Sequence, residues 1–221
     1  MLELRTESVL IYNDHILELK KNFVSKLNLL KNSRFLPAKV LSTMYFRIIL
    51  PSITHGLMVW GGCSSLENLN SLERLHCRAA RIIYNLPRDM SSSDVLDRVK
   101  WPSIFRQYKV ALFKFTHKGY HFNLPKISSH IIVKRECNYS SRASNKLDVP
   151  RFNTRYMKDS IKYSGAVLWN AMTAKHRDLA QSSSFGSLKK KLNNLVAFRD
   201  FDFSITSAQT SNFRRDGFTY Y

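Results

Sequence analysis

The chain has 221 residues, of which 35 are Lys or Arg and 16 are Asp or Glu, so its formal charge at pH 7 is +19. Hydrophobic residues make up 44%, which is enough for a packed core and excludes a chain that is disordered throughout. The charge predicts a polyanionic partner, with a basic domain that has no specific anion as the alternative, and the scarcity of Gly (7) and Pro (6) favours helices over a turn-rich all-β fold.

Helical spacing of apolar residues predicts a mainly α-helical bundle over residues 1–122. Pro51 is expected to divide the apolar stretch of residues 45–63 into two buried helices. Ser64 and Glu67 form a capping-box pattern at the start of a longer helix. The predicted helices run from Asn13 or Asp14 to about Lys31, from Pro37 to Leu50, from Pro51 to Trp60, from Ser64 to Leu86, from Ser92 or Ser93 to Val99, and from Pro102 to Tyr120.

The helical pattern weakens after residue 122. His130–Lys134 is predicted to be a short strand in an otherwise irregular middle segment, and helical spacing returns at Asp159–Met172 and Ser184–Phe198. The end of the chain lacks helical periodicity and is expected to be a mobile tail. The sequence therefore predicts a helical region at 1–122, a basic region at 123–199 with an irregular segment and two helices, and a tail at 200–221.

The three cysteines, Cys63, Cys77 and Cys137, are too few and too scattered for a disulfide framework, which favours an intracellular location in the nucleus or the cytoplasm. The charged residues within Met1–Leu10 are unlike a signal peptide. No membrane-spanning segment is expected, because the most apolar stretch, residues 45–63, is interrupted by Arg, Pro and His.

The helix predicted at residues 64–86 carries a cationic ridge formed by Arg74, Arg78 and Arg81. At about 100° per residue these three side chains fall within about 60° of one another, opposite the apolar face. Guanidinium groups one turn apart can contact successive phosphates, so the ridge is a candidate nucleic-acid site. The alternative is a solvated helix face that is partly paired with Glu67 and Glu73.

Other basic residues extend the set of candidates for phosphate contacts. Lys109 and Lys114 alternate with aromatic residues on the helix after Pro102, a pattern that suits base stacking but also suits an ordinary core. Lys189 and Lys190 lie on the polar side of the last predicted helix, a position that suits a phosphate patch and suits solubility somewhat better. The candidate nucleic-acid-binding residues are Arg74, Arg78, Arg81, Lys109, Lys114, Arg142, Arg151, Lys189 and Lys190.

No catalytic, metal-binding or cofactor-binding pattern is predicted. The chain has no CxxC pair, no Gly-rich phosphate loop and no GxSxG elbow. His117 and His121 share a helical face but lack a third ligand. No pair of carboxylates occurs in the apolar strand–turn–strand context that a two-metal polymerase requires. An enzyme is therefore the weakest interpretation, and no cofactor is expected.

Three blocks of sequence, read in order, resemble one family. They are His15–Leu30 continuing into Phe35-Leu36-Pro37; Tyr45–Leu86 with Leu72-Glu73-Arg74-Leu75 and Arg78-Ala79-Ala80-Arg81-Ile82-Ile83; and Tyr163–Asn170 followed by Ser184-Phe185 and Lys189–Leu192. Together they resemble the region after the polymerase palm in non-LTR retrotransposon reverse transcriptases. The resemblance covers roughly residues 12–196, and the block at Arg78–Ile83 is its most specific part.

The resemblance implies a thumb-like helical element at residues 1–122 and a start of the matched region either at about the last strand of a palm, at Val9–Tyr12, or just before the thumb. In that family the thumb contacts the backbone of the template–primer duplex, which implies RNA, DNA or a hybrid of the two as a partner. The resemblance also implies a palm domain as a protein partner of the thumb. The catalytic aspartates of the family lie N-terminal to the matched region, so polymerase activity is not implied. Arg142 and Arg151 match a Tyr- and Arg-containing loop of relatives only loosely, and no role is transferred to them.

Overall fold

The computed structural model describes the backbone of residues 3–122, 130–135, 146–151 and 160–175, with side chains from residue 13 to residue 172. Within these ranges the protein is mainly α-helical, which confirms the fold class predicted from the sequence. The helices are α1 (Glu3–Asn32), α2 (Ala38–Met44), α3 (Leu50–Thr54), α4 (Leu57–Cys63), α5 (Leu66–Tyr84), α6 (Ser92–Val99), α7 (Ile104–His121) and α8 (Ile161–Lys175).

The chain divides into one compact unit over Met1–Ser183 and a second over Ser184–Tyr221. All of the described residues belong to the first unit. The helix predicted at Ser184–Phe198 and the tail predicted at 200–221 lie outside the described residues. Helix α1 contacts α5 and α4, and α7 contacts the same two helices, so the four surround a core of buried apolar side chains.

Helix α1 is longer than the sequence pattern predicts. It begins at Glu3, so Val9–Tyr12 is helical and the expectation of a palm strand there is wrong. A short apolar run cannot be assigned to a strand or a helix by periodicity alone, and here it continues the helix that follows. From residue 16 onward α1 buries one stripe of side chains, which are Ile16, Phe23, Leu27 and Leu30.

The chain remains helical through Pro51, so the predicted break at that residue is wrong. A π-helical turn at Tyr45–Ile49 connects α2 to α3 without a gap. Proline has no N–H and its ring presses on the carbonyl four residues earlier, and the wider π turn relieves that conflict. The break instead falls at Gly56, whose φ of 65° is a left-handed conformation that glycine adopts readily.

The N-cap of α5 differs from the predicted one by one residue. The N-cap of α5 is Ser65, whose Oγ accepts a hydrogen bond from the Asn68 N–H at 3.2 Å, rather than Ser64. The Ser64 hydroxyl instead donates to the Trp60 carbonyl at 2.6 Å and completes the end of α4. At its other end α5 stops at Asn85, which has a left-handed φ of 53°.

Helix α8 packs against α7 around Trp169, whose ring is fully buried. The Trp169 ring stacks on Phe113 with 5.3 Å between centroids and on Tyr120 with 4.9 Å. Gly165 permits the close approach of the two helices, because a Cβ at this position would lie 2.9 Å from Thr116 Oγ1. The segment at residues 146–151 is held against α8 by Asn170. The Asn170 side chain accepts a hydrogen bond from the N–H of Leu147 and donates one to its carbonyl.

The strand predicted at His130–Lys134 is reduced to one antiparallel bridge between Lys134 and Leu147. Two backbone hydrogen bonds flank it, from Arg135 N–H to the Lys146 carbonyl and from Asp148 N–H to the Val133 carbonyl. Residues 130–132 form a turn instead. A pairing this short has too few ladder hydrogen bonds to be a strand of a sheet.

Candidate nucleic-acid interface

Helix α5 separates an apolar face from a cationic one. Its buried face consists of Leu69, Leu72, His76, Cys77, Ala79, Ala80 and Ile83. Arg74 and Arg78 lie on the opposite side and both side chains are exposed. The structure therefore places two of the three predicted ridge residues where a polyanion can reach them.

Arg81, the third ridge residue, is half-buried at the end of α5. Its Nη2 donates a hydrogen bond of 2.7 Å to the Met90 carbonyl, which ties the last turn of α5 to the loop before α6. Its Nε is buried and has no hydrogen-bond partner among the described residues. The positive charge of Arg81 also lies at the C-terminal, negative end of the helix dipole, where a cation is stabilising. This side chain therefore has a structural function in addition to any contact with phosphate.

Glu73 is directed away from the ridge. Its Oε2 accepts a hydrogen bond of 2.7 Å from the Ile104 N–H at the first turn of α7. Burial raises the pKa of Glu73 to about 7, although the hydrogen bond from Ile104 acts in the opposite direction. Glu73 is thus unsuited to neutralise Arg74 or Arg78, and of the two carboxylates considered for pairing only Glu67 is exposed.

A buried polar cluster behind α5 is not predicted by the sequence pattern. The Tyr45 hydroxyl donates to His76 Nδ1, and His76 Nε2 donates to the Pro102 carbonyl at 3.1 Å. Because a carbonyl can only accept, the proton of a neutral His76 lies on Nε2 and Nδ1 is the acceptor. Burial lowers the pKa of His76 to about 4 and raises that of Tyr45 above its ordinary value. The only sequence signal for this cluster is the position of His76 within the apolar stripe of α5.

Trp101 connects this cluster to the protein surface. Its ring is stacked on Tyr45 with 4.8 Å between centroids and an interplanar angle of 6°. On another side it makes a T-shaped contact with Tyr84 at 5.9 Å and 71°. Tyr84 is the last residue of α5 and is 39% exposed. An exposed aromatic ring thus lies one helical turn beyond Arg81.

The two candidate lysines of α7 present little surface to a partner. Lys109 is only 8% exposed and Lys114 is half-buried. The aromatic residues Tyr108 and Phe113 on the same helix are buried, as an ordinary core requires. These observations favour a packing function for the aromatic residues of α7.

Four candidate nucleic-acid-binding residues remain, of which the structure describes one. Arg151 is exposed. Arg142, Lys189 and Lys190 lie outside the described residues. The structure therefore brings together Arg74, Arg78 and Arg81 on one helix and does not describe contacts between them and the C-terminal lysines.

Metal ligands are not clustered in the part of the chain that the structure describes, since no group of three or more His, Cys, Asp or Glu residues occurs there. His117 and His121 are neighbours, with 4.4 Å between ring centroids, and their rings also lie close to Trp169. Their surroundings are therefore largely aromatic.

Comparison with known proteins leaves the function to be argued from the site itself. No protein-family model, curated protein sequence or solved structure matches the chain. None of the described helices combines the length and the apolar character needed to cross a membrane.

Proposed function

We propose that this chain binds nucleic acid through its phosphate backbone, without sequence preference and without catalysis, as a region that follows the palm of a retrotransposon-type reverse transcriptase. The observation that supports this function best is the exposed pair Arg74 and Arg78 on α5, in a chain with a formal charge of +19. Backbones of RNA, DNA and hybrid duplexes all offer the phosphates that this pair would bind.

The geometry of α5 suits contacts with successive phosphates. The helical rise places Arg74 and Arg78 about 6 Å apart along the axis, on the same face. A guanidinium group can bind a phosphate through two parallel N–H donors, which an ammonium group cannot do. Because Glu73 bonds the first turn of α7, it leaves this face to the arginines.

The block at residues 78–83, the most specific part of the resemblance to reverse transcriptases, contains both buried and exposed residues. Ala79 and Ala80 are fully buried, which supports a packing function for the two small residues. Arg78 is exposed, so packing does not account for its side chain. The packing and binding interpretations of this block therefore apply to different residues.

Binding is tested by fluorescence anisotropy with unrelated labelled oligonucleotides over a salt series. If about six cations engage duplex DNA, log K should fall with log salt at a slope of about −5. The Arg74→Ala/Arg78→Ala variant should bind every sequence more weakly and show a smaller slope by about 2. No binding at low salt, or an affinity that does not change with salt concentration, would refute the proposal.

A matched control removes the same charge elsewhere. Lys31 and Arg34 are exposed and lie at and just beyond the end of α1. Lys31→Ala/Arg34→Ala should reduce affinity less than the α5 variant, although both lower the net charge by two. Equal losses would mean that only total charge matters and that α5 has no special position.

The proposed absence of catalysis is tested separately. We expect no cleavage of labelled RNA or DNA when Mg²⁺ or Mn²⁺ is added to the protein. A cleavage product that is lost on chelation of the metal would establish a nuclease instead.

A second candidate is a protein-interaction module, the function that suits a region formerly packed on a palm domain. Six of the eleven large hydrophobic side chains that are exposed in the described residues precede residue 60, and Phe35 is 83% exposed. Exposed apolar side chains are typical of interaction surfaces when they adjoin one another. The six are Leu17, Leu29, Phe35, Val40, Ile48 and Val59. Light scattering with gel filtration tests this function, since a concentration-independent monomer would argue against self-association.

A further inference from the structure

Tyr84 has a position that the phosphate contacts do not use. It follows Arg81 by one helical turn and lies about 9 Å beyond Arg78 along the axis of α5. At about 100° per residue it is rotated by about 60° from Arg81 and about 120° from Arg78, so the ring lies at the flank of the ridge. It is exposed, although large aromatic rings are usually covered by other side chains. An aromatic ring beside a row of cations is the arrangement by which proteins hold single strands, with bases stacked and phosphates paired.

We propose that Tyr84 stacks on an unpaired base of a strand whose phosphates contact Arg74 and Arg78. This inference rests on the proposed function and adds a ligand class to it, namely single-stranded nucleic acid. Within a duplex both faces of each base are covered by neighbouring bases, so the ring of Tyr84 has no base to stack on. The site therefore prefers a single strand or an overhang to a continuous duplex.

The ring of Tyr84 is held in place before any ligand binds. The T-shaped contact with Trp101 supports it, and Trp101 is itself fixed by its stack on Tyr45. Trp101 is buried and Tyr45 is hydrogen-bonded to His76, so this support continues into the core. A ring that is already ordered loses less side-chain entropy on binding than a mobile one.

Arg81 adds charge near Tyr84, and Asn85 ends the helix directly after it. Arg81 is anchored to the Met90 carbonyl and keeps a fixed positive charge in the last turn of α5. Asn85 follows Tyr84 in a left-handed conformation and is exposed, so the chain turns away from α5 directly after the ring. A strand that runs from Arg74 past Arg78 and Arg81 would thus reach Tyr84 by turning partly around the C-terminal end of α5.

The experiment compares two ligands with three variants. The ligands are a single-stranded oligonucleotide that contains 2-aminopurine and a closed dumbbell duplex that has no free ends. Tyr84→Leu retains an apolar contact with Trp101 but removes the aromatic face, and Tyr84→Phe retains the face and removes only the hydroxyl. Phe35→Ala removes a more exposed aromatic residue from another part of the chain.

We expect Tyr84→Leu to weaken binding of the single strand by about 5- to 150-fold, the range that corresponds to the stacking of one base. Tyr84→Phe and Phe35→Ala should bind it like the unaltered protein, and the dumbbell should bind all variants equally. The 2-aminopurine fluorescence should change on binding to the unaltered protein and not to Tyr84→Leu. Thermal melts of each variant establish that the fold is retained.

Two other results would overturn the inference in distinguishable ways. If Tyr84→Leu binds the single strand normally while Arg74→Ala/Arg78→Ala does not, phosphate binding stands and base stacking by Tyr84 is refuted. If the unaltered protein binds neither ligand at low salt, the proposed function fails as well. If a Tyr84 variant does not fold, the 2-aminopurine fluorescence measured with the unaltered protein tests the inference instead. A signal that does not change on binding refutes stacking.

Discussion

The Tyr45 hydroxyl donates a hydrogen bond to Nδ1 of His76, and this contact joins the π-helical turn to α5 in the interior of the protein. Both side chains are fully buried. Since His76 also donates to the Pro102 carbonyl, the two ring nitrogens have complementary roles that only the neutral imidazole satisfies. Removing either partner leaves a buried polar group without its hydrogen bond.

Tyr45→Phe is therefore expected to destabilise the fold by about 1–3 kcal/mol, because His76 Nδ1 becomes a buried acceptor with no donor. Urea unfolding followed by Trp fluorescence measures the difference. Tyr84→Phe is the matched control, since the same hydroxyl is removed from an exposed ring, and we expect a change within about 0.5 kcal/mol. A similar small change for both variants would show that the buried hydrogen bond contributes little.

The pH dependence of stability is expected to be flatter than either titrating group alone would produce. The pKa of His76 is lowered to about 4 from an ordinary value of 6.5. Between these two values the folded protein binds fewer protons than the unfolded chain, so this group makes stability rise with pH. The pKa of Glu73 is raised to about 7 from 4.5, so the folded protein binds more protons and this group makes stability fall with rising pH. The two contributions oppose each other between pH 4.5 and 6.5.

Glu73→Gln removes one of these contributions and exposes the other. We expect the free energy of unfolding of this variant to rise between pH 4 and 6.5 with a slope of up to about 1.4 kcal/mol per pH unit, while the unaltered protein changes less. Urea unfolding at a series of pH values measures both curves. Parallel curves for the two proteins would mean that Glu73 does not titrate in this range.

Gly165→Ala should destabilise the contact between α7 and α8, even though alanine favours a helix over glycine by about 1 kcal/mol. The added Cβ would lie 2.9 Å from Thr116 Oγ1, in a buried interface that cannot open without loss of packing. We expect a net loss of about 1–3 kcal/mol. If the clash is the cause, Gly165→Ala should cost less in a Thr116→Ala background, and additive losses would contradict this explanation.

Arg81→Ala should differ from Arg74→Ala and Arg78→Ala in its effect on stability. It removes the hydrogen bond to the Met90 carbonyl, for which we expect a loss of about 1–3 kcal/mol in urea unfolding. The two exposed arginines should change stability by no more than about 0.5 kcal/mol and should weaken nucleic-acid binding only. Equal stability of all three variants would show that the Arg81 hydrogen bond is not structural.

The features that the sequence predicts correctly are those that depend on local periodicity. The two faces of α5 follow from the spacing of Leu72, Ala79 and Ile83 opposite Arg74 and Arg78, and the structure confirms that spacing. Residues at helical spacing identify a buried stripe because each turn of an α-helix repeats after 3.6 residues.

The features that the sequence does not predict depend on contacts between distant residues. The binding of Glu73 to the Ile104 N–H joins residues from two helices, and no periodicity within α5 indicates it. The hydrogen bond from Tyr45 to His76 is of the same kind. Arg81 looks equivalent to Arg74 and Arg78 on a helical wheel, and only the position of the Met90 carbonyl distinguishes it.

The break wrongly expected at Pro51 has a different cause. Proline interrupts the regular α-helical hydrogen bonds, and a sequence pattern cannot show whether the chain responds by ending the helix or by widening one turn. Here the Leu50 N–H bonds to the Tyr45 carbonyl across the wider turn, and the helix continues. Ile49 and Ile53 on either side of Pro51 are both buried, and that burial is a property of the folded protein that periodicity does not show.

The π-helical turn also changes the rotational phase of the helix that contains it. Buried residues recur at every fourth position through the turn, at Leu41, Tyr45, Ile49 and Ile53, and Leu50 adds a second buried position directly after the turn. One additional residue in a turn rotates everything that follows by about 100° relative to a regular α-helix. Deleting a single residue between 45 and 49 would therefore reverse that rotation once the turn becomes α-helical, so Leu50 and Ile53 would keep their places in the core and the helix itself would become more regular.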